Sequence, residues 1–299
     1  FTLTKKYLYI ANDGNPFDRQ GVIAICNSHL SSKTDNIYDD NEKVDNRNWI
    51  NAFNKSVLKL YKSDKNRLIR NKNIEKIAVK GYWDRWHLEL LQNIDDAIGP
   101  KNEGKYIGTK GLGFFSILEI AEGPSIFSGP YNFEFSKEKV QKFLHSLKTY
   151  TKDEIEKNAP TFDIPWPCTP DKTVKKLLQD GYATVIKLKV KDDYYDNIDK
   201  VLKKLDTSFL LFSQNLNSIK IEIDQYVKEI TKYESILHKN NNFEKTKLQI
   251  KTQILQEKPK YKDWIRWKRS WASSLENEKQ SSCMFCLPFK NNICIPYKK

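Results

Sequence analysis

The stretch from Glu89 to Gly113, ELLQNIDDAIGPKNEGKYIGTKGLG, constrains this chain more than any other. Its first part reads as a helix in which Glu89, Asn93 and Asp96, at about 100° per residue, share one narrow polar stripe. Beside them Trp83, Trp86, Leu90, Ile94 and Ala97 recur at helical spacing and form an apolar face that docks the helix on a core. A carboxylate, a carboxamide and a second carboxylate along the edge of a docked helix can hold a hydrated magnesium ion and orient a water. The second part places Gly108, Gly111 and Gly113 in a G-x-x-G-x-G spacing that runs into the apolar residues Phe114 to Ile117. Glycines there let backbone N–H groups approach an anion at the start of a helix, where the dipole also favours phosphate. Singly, the two patterns also fit a solvated helix face and a tight loop. Together they point to a phosphorylated ligand.

ELLQNIDDA resembles the N-box of the GHKL ATPases, the group of gyrase, MutL, the histidine kinases and the ninety-kilodalton heat-shock chaperones. IGTKGLGFFS resembles the group's second glycine box. The sacsin and NO VEIN branch is the most similar, with IANDGNPF, IGTKGLGFFS and GPSIFSG all matching its motifs, and the likeness extends through DGYATVIKLKVK, TSFLLFSQNLNSIKIEI and CMFCLPF. The resemblance implies an α/β fold of the Bergerat type, a two-layer sandwich of a mixed β-sheet with helices on one face, binding ATP with Mg2+. It implies Glu89 as the general base and Asn93 as the magnesium ligand. Asp96 and Ala97 would line the pocket, with Gly108, Thr109, Lys110, Gly111, Leu112, Gly113 and Phe114 around the phosphates. Asn12, Asp13, Gly14 and Thr184 would meet the adenine. Ser31-Ser32-Lys33 resembles the start of the ATP lid, which puts Lys33 at the nucleotide.

Two departures stand out. Aligning Gly14 with the family glycine puts Asn12 where the family has an adenine-reading aspartate; an amide carbonyl can accept the same hydrogen bond without the charge. The order also differs, since the family runs N-box, adenine box, lid, second glycine box, whereas here the adenine box and lid segment come first. A circular permutation or a joining of pieces in another order would each leave the same spatial site.

Length and composition bound the rest. The chain has 299 residues with 39% hydrophobic content, enough to bury a core in one large domain or two. We expect an ATP-binding domain over 1–225 and a β-rich extension over 226–299. No apolar run approaches the roughly 18 residues of a membrane span, and no signal peptide is evident, so the expectation is a cytoplasmic protein, a piece of a longer one. The net charge of +13 suggests a polyanionic partner such as nucleotide or DNA, although a Lys-rich composition with solvated lysines accounts for it equally. Five cysteines without secretory context read as free thiols. Cys283-x-x-Cys286 lacks two further ligands for zinc and reads as a buried strand.

Along the chain, the run to Ile10 reads as a strand, 49–60 and a basic stretch up to Ile77 as helices, and 136–158 as one surface helix on which His145 is solvated. TFDIPWPCTPD reads as a rigid extended loop, Asp171–Gln179 as a capped helix closed by Gly181, and Ala183–Val190 as a strand. Residues 193–216 read as an amphipathic helix, and the region past Tyr226 as short β-segments. There Trp264, Trp267 and Trp271 interleave with Arg266, Lys268 and Arg269, a pattern that can stack on nucleic acid. A packed strand with snorkelling cations explains it as well.

The expected function is slow Mg-dependent ATP hydrolysis that drives lid closure in a sacsin-like, chaperone-type or defence-type protein, with homodimerisation on ATP and a protein partner or fused effector. Alternatives from other classes are a non-hydrolysing nucleotide-sensing module and a DNA-engaging ATPase.

Overall fold

The computed structural model describes residues 1–26, 46–81, 84–99, 112–272, 280–290 and 293–294. The chain is mixed α/β and divides into two compact units, Thr2–Ile198 and Asp199–Lys299 together with Phe1. The division falls inside a helix, ahead of the expected limit at 225, because the strand Ser218–Ile223 pairs with Tyr226–Lys239 and so belongs to the second unit.

The first unit is built on an antiparallel sheet in the order β1 (Thr2–Leu3), β2 (Tyr7–Asn12), β6 (Thr184–Val190), β3 (Ala121–Ser128), β4 (Tyr131–Glu134), β5 (Trp166–Pro167). Alternation along the strands sorts the side chains onto two faces. Tyr9, Phe127 and Val185 pack with Val174 of α7 (Lys172–Gln179) on one. Leu8, Ile10, Ile126, Ile186 and Leu188 lie buried on the other. Asp171 caps α7 by accepting from Val174 N at 2.9 Å, and Gly181 takes φ +99° just past its end, as expected from the sequence. Asp171 also accepts from Tyr9 Oη at 3.1 Å and pairs with Lys187 at 2.9 Å, which ties the helix start to two strands.

Helices α1 (Arg19–Cys26), α2 (Asn46–Ser63), α3 (Arg67–Gly81) and α4 (Trp86–Ile98) come before a 3-10 helix, Leu112–Glu119. The extended loop is held from within: Asp163 accepts from Tyr61 and Asn71, and Glu75 accepts from Phe162 N at 2.8 Å. The helix expected over 136–158 is two, α5 (Lys137–Leu147) and α6 (Lys152–Asn158). Lys148 adopts φ 53°, which stops the first, and Thr151 with Glu154 forms a capping box that starts the second. His145 is exposed, as expected.

The amphipathic helix expected over 193–216 is also interrupted. A short 3-10 turn leads into α8 (Tyr195–Lys203), and α9 (Ser208–Phe212) begins after Asp206, whose carboxylate accepts from Ser208 N at 2.9 Å. In the second unit β7 (Ser218–Ile223), β8 (Tyr226–Lys239), β9 (Phe243–Ile254), β10 (Lys260–Ala272), β11 (Gln280–Lys290) and β12 (Ile293–Cys294) form an antiparallel meander. These are long strands where short segments were expected; each ladder runs on past the charged residues, so Glu234–Leu237 lies within a strand of 14 residues. One face of the meander is core, with Ile219, Ile221, Ile230, Leu248 and Ile250 buried. Buried cations on that face are paired: Lys232 Nζ reaches Ser213 O at 2.8 Å and Glu234 at 2.8 Å, and Arg266 meets both Glu234 oxygens at 3.2 and 3.1 Å. Cationic groups on carbonyls just past α9 offset the negative end of that helix. Cys283 is exposed and Cys286 half-buried, so the strand holding them is not the buried one expected; its outer residues face solvent.

Candidate functional site

Two segments distant in sequence meet α4, one at each end. The helix buries Trp86, Leu90 and Ile94 of the apolar stripe read from the sequence, and Leu91 besides, which leaves Glu89, Asn93 and Asp96 on the other side; Trp83 lies outside the described residues. Asn93 is exposed, and Asp96 and Ala97 are half-buried.

At the C-terminal end of α4 the loop after β2 closes onto the helix. Asn15 N donates to Ala97 O at 2.7 Å, and Asn15 Nδ2 donates to Ala97 O and Gly99 O, each at 2.9 Å. These bonds satisfy carbonyls that the helix end leaves without partners. Gly14 fits because it has no side chain: a Cβ there would stand 2.7 Å from the Ala97 backbone C and O. Asn12, at the end of β2, is 7% exposed, and its Oδ1 accepts from Gly14 N at 3.2 Å, the Asx geometry that turns the chain toward the helix. Asp13 beside it is exposed.

Across the sheet, Asn12 pairs with Thr184, and Thr184 pairs with Ser128. Cross-strand partners share a face, so the three form a polar row at the sheet end, on the same side as Leu8 and Ile10. The hydroxyls of Ser128 and Thr184 are hydrogen-bonded to each other, and Ser128 Oγ accepts from Phe17 N at 2.8 Å.

Toward the N-terminal end of α4, Glu89 lies against the start of the 3-10 helix. A Cβ on Gly113 would stand 2.1 Å from Glu89 Oε2, so the glycine makes room for the carboxylate. Burial pushes the Glu89 carboxyl above its ordinary value, and Arg85, one turn earlier at 3.7 Å, pulls it back in part. Asp96 is raised too, chiefly by burial and then by Asp95. From Glu89 to Ala97 the helix advances about 12 Å at 1.5 Å per residue. An elongated ligand can span such a length.

Of the other residues expected here, Leu112 opens the 3-10 helix, while Phe114 is 8% exposed with its ring against Phe162 at 5.6 Å. The Phe114 side chain is therefore a core group, leaving its backbone as the means of reaching a ligand. Lys33, Gly108, Thr109, Lys110 and Gly111 lie outside the described residues. Asn15, Ser128 and Arg85 were not expected at the site. Only Arg85 had a local signal, its spacing of four residues from Glu89.

Among the described residues no group of three or more His, Cys, Asp and Glu is arranged to hold a metal ion. Magnesium needs no such cage, because it keeps waters and shares phosphate oxygens, and an exposed amide oxygen on Asn93 suits that mode. No helix among the described residues is long and apolar enough to cross a membrane. No family model matches this chain, and neither a curated protein nor a solved structure matches it.

Proposed function

We propose that the first unit binds ATP with magnesium and hydrolyses it slowly, as a GHKL-type ATPase of Bergerat architecture resembling the sacsin branch. The observation that supports this most is the meeting of Gly14 with Ala97 and of Gly113 with Glu89 on one helix. Segments some 80 and 20 residues away in sequence come to the helix that has the carboxylate; the Gly14 contact is with main chain and needs a glycine, and the Gly113 contact leaves room for the carboxylate as it stands.

In this reading Glu89 takes a proton from the attacking water. Its raised pKa makes it a better base than a solvated glutamate once ionised. Asn93 holds the magnesium, which neutralises phosphate charge when bound. Asp96 and the Asn12–Thr184–Ser128 row receive the base and its bound water. Because Gly14 N fixes Asn12 Oδ1 as the acceptor, that oxygen's second lone pair is the group offered to an adenine amino group. Hydrolysis serves as the timer of a conformational switch, with lid closure and pairing of two copies as its output in a larger cytoplasmic protein.

A non-hydrolysing nucleotide sensor is the second reading. It is favoured by Asn12, which offers the base a neutral acceptor where the family has a charged one. Phosphate release from ATP separates the two. With magnesium, turnover is expected and is abolished by chelation; nucleotide binding with no phosphate release under either condition would select the sensor.

A further inference from the structure

The second unit has an outward sheet face that the ATPase reading does not use. β9 and β10 pair in a continuous register that sets Lys245 opposite Trp267, Lys247 opposite Ile265 and Lys251 opposite Tyr261, and β11 sets Phe285 opposite Trp267. Cross-strand partners share a face, so these side chains and Arg269 lie on one side of the sheet. The other side holds Thr246, Leu248, Ile250 and Arg266, all buried. The outward side is exposed at its aromatics, with Tyr261 and Phe285 each 54% accessible. Ile265 is covered there, its cross-strand neighbours being Lys247 and Leu287.

Charge is organised differently on the two faces. Inward Lys232 and Arg266 are paired with Glu234. Among the described residues, none of the ion pairs involves Lys245, Lys247, Lys251 or Arg269. Asp263, the acidic residue between them on β10, is bound by Gln249 at 2.9 Å. At one end of the face the Trp267 and Phe285 rings stack at 4.9 Å and 13°. They line a concave region of about 850 Å³ with Arg269 and the turn at Asn240–Asn242. Stacked rings, of which Phe285 is exposed, beside cations outside any carboxylate pair, Lys247 lying 5.7 Å over the Phe289 ring, match a chain of exposed bases joined by phosphates. A duplex hides its base faces and offers nothing to such rings.

We infer that this face binds single-stranded nucleic acid, with bases stacking on Phe285 and Trp267 and phosphates meeting Lys245, Lys247, Lys251 and Arg269. The test is fluorescence anisotropy of the whole chain with labelled oligo-dT, oligo-rU and a duplex of equal length, across a salt series. Single strands should bind more tightly than duplex, and the preference between dT and rU identifies DNA or RNA as the ligand. Phe285→Ala should weaken binding about 5- to 150-fold, the effect of losing one stacked base. Lys247→Gln and Lys251→Gln should each flatten the salt slope by about 0.7, the share of one phosphate on a single strand. Phe285 is exposed, so an unchanged circular dichroism spectrum accompanies its loss of binding. The inference is overturned if no strand binds, if duplex binds equally well, or if Phe285→Ala and both lysine variants leave binding unchanged.

Discussion

Glu89→Gln should lower ATP turnover by roughly 100- to 10,000-fold, the range a positioned general base contributes, while ATP still binds. The amide keeps the volume that lies against Gly113 but cannot take a proton. Phosphate release and nucleotide affinity are measured on the same sample, and equal turnover in parent and variant would remove Glu89 from the chemistry. The pH dependence gives a second readout with a definite sign. Burial raises the pKa of Glu89 above the ordinary value of 4.5, and only the ionised form is a base. Turnover in the parent should therefore fall as pH falls through that raised value. The same acid limb should be missing from the residual activity of the variant.

Gly14→Ala is expected to have the larger effect on binding. The added methyl would lie 2.7 Å from Ala97 C and O and 2.8 Å from Ile98 N, all backbone atoms of α4. Main chain cannot swing aside as a side chain can, so the loop must lift. Lifting it strains the Asn15 bonds to Ala97 and Gly99 and displaces Asn12. Overpacking of this kind costs about 1–3 kcal/mol, and nucleotide affinity should drop about tenfold or more, the equivalent of 1.4 kcal/mol. The thermal midpoint and the ATP dissociation constant check the two parts. Gly113 provides the contrast, because its added methyl would meet the carboxylate end of Glu89, a flexible group that can rotate away. If Gly14→Ala left both affinity and midpoint unchanged, the loop would not be part of the pocket.

Local features of this chain were legible in its sequence to the extent that their causes are local. The apolar stripe of α4, the Asp171 cap and the strand leading into Asn12 each follow from spacing or from one side chain, and each is found. The breaks in two expected helices were hidden for a different reason. At Lys148 apolar spacing continues past a residue in the left-handed region, which lysine's identity does not announce. The ladders of the second unit exceed their expected lengths because strand pairing carries them through charged positions such as Glu234, which Arg266 and Lys232 neutralise from the same sheet. Asn15 could not have been read as a clamp on α4, since its partners lie 82 and 84 residues further along. Ser128 likewise acquires its role from Thr184 on a neighbouring strand. The distance in sequence between these stretches did not keep them apart either: Gly14 lies against Ala97, as only the folded chain reveals.

Titration calorimetry of the whole chain with Mg-ATP, repeated with Asn12→Ala and with GTP, probes the proposed pocket itself. Saturable binding of ATP is expected, with weaker binding in Asn12→Ala and discrimination against GTP, whose base has a carbonyl where adenine has the 6-amino group proposed to donate to Asn12. A folded chain that takes up no ATP at millimolar concentration would contradict the proposal.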